Sequence, residues 1–253
     1  MPRYLIRLSY DGTHFSGWQI QDHARTVQQC LEKALSYFDA PVPLTVTGAG
    51  RTDAGVHALR QYANFDLEKE ISPQQMVAAL NTRLPDDIRV LQSWQVTSDF
   101  SARYSALSRS YEYHLAIHRT PFNRLYSAFL PRYRINAEII EKCLPYFLGE
   151  HDFSTFAKLN PDLHHQRCTV QEFTLEIKDD ELIFRIRANR FLHNMVRRMI
   201  GTSIRLGHQN KDPMIIKDLI AAANPNNDLI FTAPPEGLFL AEVEYILECI
   251  SSR

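Results

Sequence analysis

The sequence contains no uninterrupted apolar run near the ~18 residues that a membrane-spanning helix requires. Its first residues alternate between apolar and polar side chains, so they do not form the apolar centre of a secretory signal. With 45% hydrophobic and 23% charged residues, the 253-residue chain has the composition of an ordinary globular protein. We therefore expect a cytoplasmic protein without a membrane partner.

Cysteine is also scarce. The four cysteines lie far apart, and none belongs to a Cys-x-x-Cys pair. This spacing favours neither a disulfide framework nor a zinc site, so we expect reduced thiols and no bound metal. The cysteines are Cys30, Cys143, Cys168 and Cys249.

An excess of positive charge is absent, since the formal net charge is −1 at pH 7. A protein that coats nucleic acid without selectivity draws on a general excess of Lys and Arg, so this class is disfavoured. Arginines nevertheless gather in three stretches, for which two interpretations are open: solvated faces, or the walls of a local basic cleft. They are Arg103 and Arg109; Arg119, Arg124, Arg132 and Arg134; and Arg185, Arg187, Arg190, Arg197, Arg198 and Arg205.

The N-terminal half opens with a strand pattern over Tyr4–Tyr10, where apolar and polar residues alternate. Two helices are predicted from apolar residues at helical spacing, each preceded by a capping box. The helices begin after Thr26 and Ser72, and further strands are predicted over 44–47, 59–67 and 88–96. The predicted order is β-α-β-β-α-β.

The C-terminal half repeats that order without visible sequence similarity. The block 149–153 is predicted to be a turn with Phe153 packed beneath it. Strands are predicted over 111–117, 170–177, 182–187 and 238–245, and helices after Asn136, around Met195–Ile200 and after Pro213. We predict an α+β protein of two ferredoxin-like halves with antiparallel sheets, residues 1–105 and 106–253, and a substrate cleft between them.

A glycine-rich loop, Gly48–His57, lies between two predicted strands and carries the opposite charges of Arg51 and Asp53. It is not a dinucleotide fingerprint, because Asp53 stands where a glycine is required, and it lacks the Gly-Lys-Ser/Thr ending of a P-loop. Two interpretations remain. The loop is an ordinary turn with a surface ion pair, or its glycines let the backbone approach a ligand while Asp53 acts as a nucleophile. A neighbouring guanidinium keeps a carboxylate ionised, and Arg51 is close in sequence.

At this loop the sequence resembles a known family. The octapeptide Gly50-Arg51-Thr52-Asp53-Ala54-Gly55-Val56-His57 resembles the signature of the TruA family of tRNA pseudouridine synthases, bacterial type, whose aspartate is catalytic. Other blocks resemble family segments in the same order, essentially from end to end. They are Tyr10–Thr13, Gly17–Gln21, Leu84–Ile88, Phe100–Ala106, Arg109–Tyr113, Leu148–Phe153, Phe191–Arg197 and Glu236–Leu240.

The resemblance implies a role for individual residues. Asp53 is the catalytic carboxylate, which either attacks C1′ of the target uridine or abstracts a ribose proton. Tyr111 stacks on the target uracil, Arg197 pairs with the catalytic aspartate, and Leu238 lines the uracil pocket. Without the family, the tyrosine and the leucine would be read as core residues and Arg197 as a cation on a helix surface. RNA contacts are expected at Arg51, Arg103, Arg109 and Arg198.

Members of this family isomerise uridine to pseudouridine at positions 38 to 40 of the tRNA anticodon stem-loop. The resemblance implies this activity here, with tRNA as partner in a central RNA-binding cleft, no cofactor, no metal and a homodimer. Two other hypotheses stay open. One is a tRNA-binding or RNA-folding module whose catalysis is secondary or lost. The other is a different carboxylate enzyme, such as a nucleoside N-glycosidase, which would release free uracil.

Overall fold

The computed structural model describes residues 1–38, 44–158 and 165–246 of the chain. It confirms a mixed α+β protein with mostly antiparallel strands. The chain divides into two compact units, residues 109–238 and residues 1–108 together with the stretch that begins at Phe239. None of the described helices is both long enough and apolar enough to cross a bilayer. Cys30, Cys143 and Cys168 are free thiols, whereas Cys249 lies outside the described residues.

The first unit contains the predicted order β-α-β-β-α-β. Strand β1 is central in this part of the sheet, pairing antiparallel with β3 on one side and β4 on the other, while the short β2 pairs with β3. The elements are β1 (Arg3–Tyr10), α1 (Val27–Leu35), β2 (Thr47–Gly48), β3 (His57–Asp66), α2 (Pro73–Asn81) and β4 (Ile88–Val96).

Both helices of this unit begin where the sequence predicts. The Thr26 side chain accepts a hydrogen bond from the backbone N–H of Gln29 (3.3 Å), which satisfies one of the unpaired donors of the first turn of α1. Ser72 and Gln75 form a reciprocal capping box at the start of α2, and Pro73 occupies its first turn. Local sequence therefore defines both helix N-termini.

Arg3 connects three parts of the first unit. Its Nε and Nη2 donate to the two carboxylate oxygens of Asp66 on β3 (2.7 and 2.8 Å), and its Nη1 donates to the carbonyl of Phe100 (2.9 Å). The hydrogen bonds from Arg3 hold the pKa of Asp66 below its usual range. This contact ties the ends of β1 and β3 to the loop that carries Arg103.

We expect Asp66→Asn to lower the free energy of unfolding by about 0.5–1 kcal/mol at pH 7, a modest value because the pair is partly exposed. A carboxyl group whose pKa is depressed on folding stabilises the protein above its unfolded pKa of about 3.9, and this contribution is lost as the pH falls through the folded pKa. The difference between the variant and the native protein should therefore disappear in acid. Urea unfolding at a series of pH values measures it, with the exposed Asp22→Asn as control. A difference that persists at the acid end would contradict the assignment.

The second unit is built on the sheet order β5-β8-β7-β6, in which the β8–β5, β8–β7 and β7–β6 pairs are antiparallel. The turn at Asp179-Asp180 joins β7 to β8 as predicted. The elements are β5 (Ser108–Ala116), α3 (Ala137–Cys143), β6 (Gly149–Asp152), β7 (Arg167–Lys178), β8 (Glu181–Ala188), α4 (Met195–His208) and α5 (Ile215–Ala222).

The prediction of a turn over 149–153 was wrong for most of that block. Gly149–Asp152 forms strand β6, which pairs with β7 in the register Gly149↔Val170. Four polar or glycine residues carry no strand pattern of their own, so the pairing with β7 decides their conformation. Phe153 is fully buried, as expected.

Strand β9 (Leu238–Glu244) was predicted as the closing strand of the second half, but it pairs in parallel with β3 of the first unit, in the register His57↔Phe239 and Ala58↔Leu240. The stretch from Phe239 onward accordingly groups with the first unit. The alternation of apolar residues predicts a strand, but it carries no information on which strand will be its neighbour.

Candidate active site

Asp53 occupies the first position of a tight turn between β2 and β3. Its carbonyl accepts a hydrogen bond from the N–H of Val56 (3.2 Å), and Gly55 at the third position has φ +77°. A turn with positive φ at that position favours glycine. The turn presents the half-buried Asp53 side chain at a defined point of the loop.

Thr52 anchors this loop to the core. Its hydroxyl lies 2.8 Å from the hydroxyl of Tyr10 at the end of β1, and its carbonyl accepts the N–H of Trp18 (3.0 Å). Burial raises the pKa of Tyr10 to about 12, so the phenol is protonated at neutral pH and can donate to Thr52. Burial alternates along the loop: Arg51 is exposed, Thr52 is buried and Asp53 is half-buried. The side chains on either side of Thr52 therefore face away from the core.

Two glycines from the preceding segment let the chain approach the back of the Asp53 loop. A Cβ on Gly12 would lie 2.1 Å from the carbonyl oxygen of Val56, and a Cβ on Gly17 would lie 2.6 Å from that of Thr52. Gly17 also has φ +97°. Side chains are excluded at both positions, by contact at Gly12 and by contact and conformation at Gly17.

His57 closes the C-terminal end of the loop. It is buried at the first residue of β3, where its Nδ1 accepts the N–H of Gly12 (3.0 Å) and its ring stacks on Phe239 (4.6 Å between centroids). At the other end, the carbonyl of Gly50 accepts a hydrogen bond from the buried Gln61 (2.9 Å). The loop is thus held at both ends by side chains of β3.

We expect Thr52→Val to reduce the free energy of unfolding by about 1–3 kcal/mol, because the substitution keeps the volume but removes the hydroxyl that partners the buried Tyr10 phenol. Chemical denaturation measures the loss, with Thr82→Val at an exposed position as the matched control. Equal stabilities of the two valine variants would show that the Tyr10–Thr52 hydrogen bond contributes nothing.

Arg103 lies in a tightly hydrogen-bonded loop of the first unit. The N–H of Ala102 donates to the buried Asn64 side chain (2.8 Å), and the carbonyl of Ala102 accepts the Tyr245 hydroxyl (2.6 Å). Arg103 itself is exposed, with its guanidinium 5.3 Å from the centre of the Tyr104 ring. A fixed loop therefore carries an exposed cation beside an exposed aromatic ring.

The second unit contains Tyr111, Arg197 and Leu238. Tyr111 on β5 is 8% exposed, and its ring meets the ring of Phe191 edge to face, 5.1 Å between centroids and 89° between planes. Arg197 in the first turn of α4 donates from Nε to the carbonyl of Ala233 (2.8 Å) and from Nη1 to the Asn194 side chain (3.2 Å). Leu238 is buried at the start of β9. Phe191 belongs to a block that resembles the family but has no role assigned from the sequence, and the structure brings its ring against Tyr111.

Two of the arginines expected to contact RNA make intramolecular hydrogen bonds. Arg109 donates to the carbonyl of Asn189 (3.0 Å). Arg198 donates to the carbonyl of Ala157 (2.7 Å), and burial lowers its pKa. Arg51 and Arg103 are more exposed than Arg109 and Arg198, which are intermediate.

Comparison with known proteins shows the family of this chain. A family model described as tRNA pseudouridine synthase matches residues 7–105 and 144–246, and the chain belongs to that family.

Curated relatives narrow the assignment to the TruA type. The tRNA pseudouridine synthase A of Exiguobacterium sibiricum is 40% identical over 245 residues, which cover 97% of this chain and 97% of that protein. That of Lacticaseibacillus casei is 39% identical over 251 residues, covering 97% of this chain and 100% of the relative. That of Bacillus pumilus is 41% identical, with coverage of 94% and 97%. The resemblance to bacterial TruA is confirmed.

Among solved structures, a chain from the crystal structure of a Cbf5-Nop10-Gar1 complex aligns with 95% of this chain and 48% of its own length. The sequence identity is 12% and the TM-score 0.41, too low to support any argument about this chain.

Proposed function

We propose that this chain isomerises uridine to pseudouridine in tRNA, at positions 38 to 40 of the anticodon stem-loop, with Asp53 as the catalytic residue and with neither cofactor nor metal. The observation that carries the proposal is the placement of Asp53, at the first position of a tight turn whose neighbour Thr52 is hydrogen-bonded into the core. Membership of the tRNA pseudouridine synthase family supplies the reaction class.

The reaction needs a single carboxylate and no redox partner. The bond between N1 of uracil and C1′ of ribose breaks, the base turns, a bond from C1′ to C5 forms, and the proton on C5 leaves. Atoms and electrons balance within the nucleotide, so the step is an isomerisation. Asp53 either attacks C1′ to give a covalent intermediate or removes a ribose proton to give a glycal, and both routes use an ionised carboxylate.

The uracil must leave its stack before it can react, which costs a few kcal/mol. We propose that Tyr111 and Leu238 receive the base and that Arg197 pairs with Asp53. The edge-to-face contact with Phe191 fixes the plane of the Tyr111 ring, and a fixed aromatic plane is suited to stacking on a base. Arg51 and Arg103, whose side chains are exposed, would contact phosphates.

The proposal includes the larger arrangement expected from the family. The two halves are ferredoxin-like and enclose an RNA-binding cleft, the N-terminal half contributing the catalytic loop and the C-terminal half the uracil-binding residues. The enzyme acts in the cytoplasm as a homodimer. A monomeric mass in solution at micromolar concentration would contradict the dimer.

The activity is tested with purified protein in metal-free buffer and unmodified tRNA labelled with tritium at uracil C5. We expect tritium to appear in water while the base stays in the RNA, and pseudouridine to map to positions 38 to 40. Release of free uracil would identify an N-glycosidase instead. Tight binding without tritium release, over several tRNAs, would identify a binding module.

A further inference from the structure

The segment between β5 and α3 is strongly basic. Residues 117–134, called here the basic loop, contain four arginines and no acidic residue, although the whole chain has a net charge of −1. All four side chains are exposed, and none forms an ion pair with a carboxylate of residues 1–38, 44–158 or 165–246. These arginines are Arg119, Arg124, Arg132 and Arg134.

Phe122 lies between Arg119 and Arg124 in the sequence of the basic loop. It is 94% exposed, the highest fraction among the exposed large hydrophobic residues of the described chain. A phenyl ring that a partner covers is removed from water, which is favourable, so this ring is available for stacking.

Hydrogen bonds hold the loop around Phe122. The Asn123 side chain accepts the N–H of Thr120 (2.8 Å) and donates to the carbonyl of His118 (2.9 Å), while the N–H of Phe122 donates to the Thr120 hydroxyl (3.3 Å). The carbonyl of Asn123 accepts the N–H of Ser127 (2.9 Å). The turn therefore determines the outward direction of the Phe122 ring.

One carboxylate, that of Glu181, contacts the basic loop at its base. Glu181 accepts a hydrogen bond from Ser127 (2.6 Å) and lies 3.2 Å from His114, and the carbonyl of Asp180 accepts the N–H of Ile117 (2.9 Å). Arg119 and Arg124 lie on either side of Phe122, and Arg119 donates to the carbonyl of Arg124 (3.4 Å). The Arg119 guanidinium thus contacts the backbone of Arg124 across the turn.

We propose that the basic loop is a second RNA-binding surface, in which Phe122 stacks on an unpaired base while Arg119 and Arg124 contact the adjacent phosphates. An aromatic ring between exposed cations is the combination that binds single-stranded nucleic acid, since every base offers a face for stacking. The proposal rests on tRNA being the substrate, as proposed above.

The contacted base differs from the reacting uridine. The basic loop leaves β5 after Ala116, five residues beyond Tyr111, which corresponds to about 17 Å along an extended strand. The basic loop would grip a neighbouring part of the same RNA and act on binding, not on the chemical step.

The test measures tRNA binding and turnover of the full chain with Phe122→Ala, Phe122→Trp and Arg124→Gln. We expect Phe122→Ala to raise both Kd and KM about tenfold to a hundredfold with kcat unchanged, as for the loss of one stacked base, and Phe122→Trp to restore native affinity. Arg124→Gln should reduce the slope of log Kd against log salt by about one unit. The matched control is Lys142→Gln, whose cation is already paired with Glu138.

Native affinity in Phe122→Ala would overturn the proposal. The proposal would also be overturned if that variant changed its oligomeric mass and its tRNA affinity fell only in proportion to the loss of the oligomer. That result would assign the ring to a contact between protein chains. Failure of the enzymatic proposal is separate, because it would appear as absent tritium release by the native protein while the Phe122-dependent binding persists.

Discussion

Asp53→Asn should reduce tritium release from C5-labelled tRNA by roughly 10⁴-fold or more, while the dissociation constant for tRNA stays close to the native value. The amide keeps the shape of the side chain but cannot act as a nucleophile or base, and the loss of a residue that bonds to the reacting atoms usually has an effect of this size. The turn depends on the backbone of Asp53 and Val56 and on the Thr52 hydroxyl, none of which changes. The fold should therefore be retained.

Asp66→Asn is the matched control for this experiment. It removes a carboxylate from the same unit, where Asp66 pairs with Arg3 and has a structural role. We expect its turnover to remain within a few fold of native. A residual rate above a tenth of native in Asp53→Asn, or an equal loss in both variants, would refute the assignment of Asp53 as the catalytic residue.

Gly17→Ala should have the second largest effect, a loss of turnover of about 10²-fold together with a loss of about 2–4 kcal/mol in the free energy of unfolding. The new methyl group would lie 2.6 Å from the carbonyl oxygen of Thr52, and an L-residue at φ +97° is strained independently of the contact. The backbone oxygen cannot move without breaking its hydrogen bond to Trp18, so the displacement passes to the Asp53 loop.

Gly50→Ala provides the comparison within the same loop. A Cβ there would have no atom of the described residues within 4 Å, so the substitution should change the free energy of unfolding by less than about 1 kcal/mol. Unfolding curves and tritium release, measured for Gly17→Ala and Gly50→Ala, test this difference. Equal effects of the two substitutions would mean that the close approach of Gly17 does not position the catalytic loop.

The elements that the sequence predicts correctly are those with a local cause. Alternation over Tyr4–Tyr10 predicts β1, and the residues Thr26 and Ser72 predict the starts of α1 and α2, because a strand period and a helix cap depend on neighbours within a few residues. Gly149–Asp152 lacks such a cause and becomes a strand through β7, which the local pattern cannot reveal.

The residues of the candidate site also differ in whether local sequence or tertiary contact reveals them. The octapeptide around Asp53 resembles the signature of the tRNA pseudouridine synthase family, and the chain belongs to that family. The roles of Tyr10 and Gly17 depend on contacts with Thr52, 42 residues further along the chain in the case of Tyr10, and no spacing rule connects those positions. Phe191 likewise contacts Tyr111 only because the segment before α4 packs against β5.

The sequence by itself therefore determined the family, the α+β class and the helix starts, and it supplied the candidate residues of the proposed reaction. These properties reside in motifs and short-range periodicity. Tertiary structure decided that β9 joins β3, that Thr52 is the anchor of the Asp53 loop, and that Phe122 faces solvent among exposed arginines. Each of these depends on which distant segments come into contact or remain exposed, and that is decided by the packing of the whole chain.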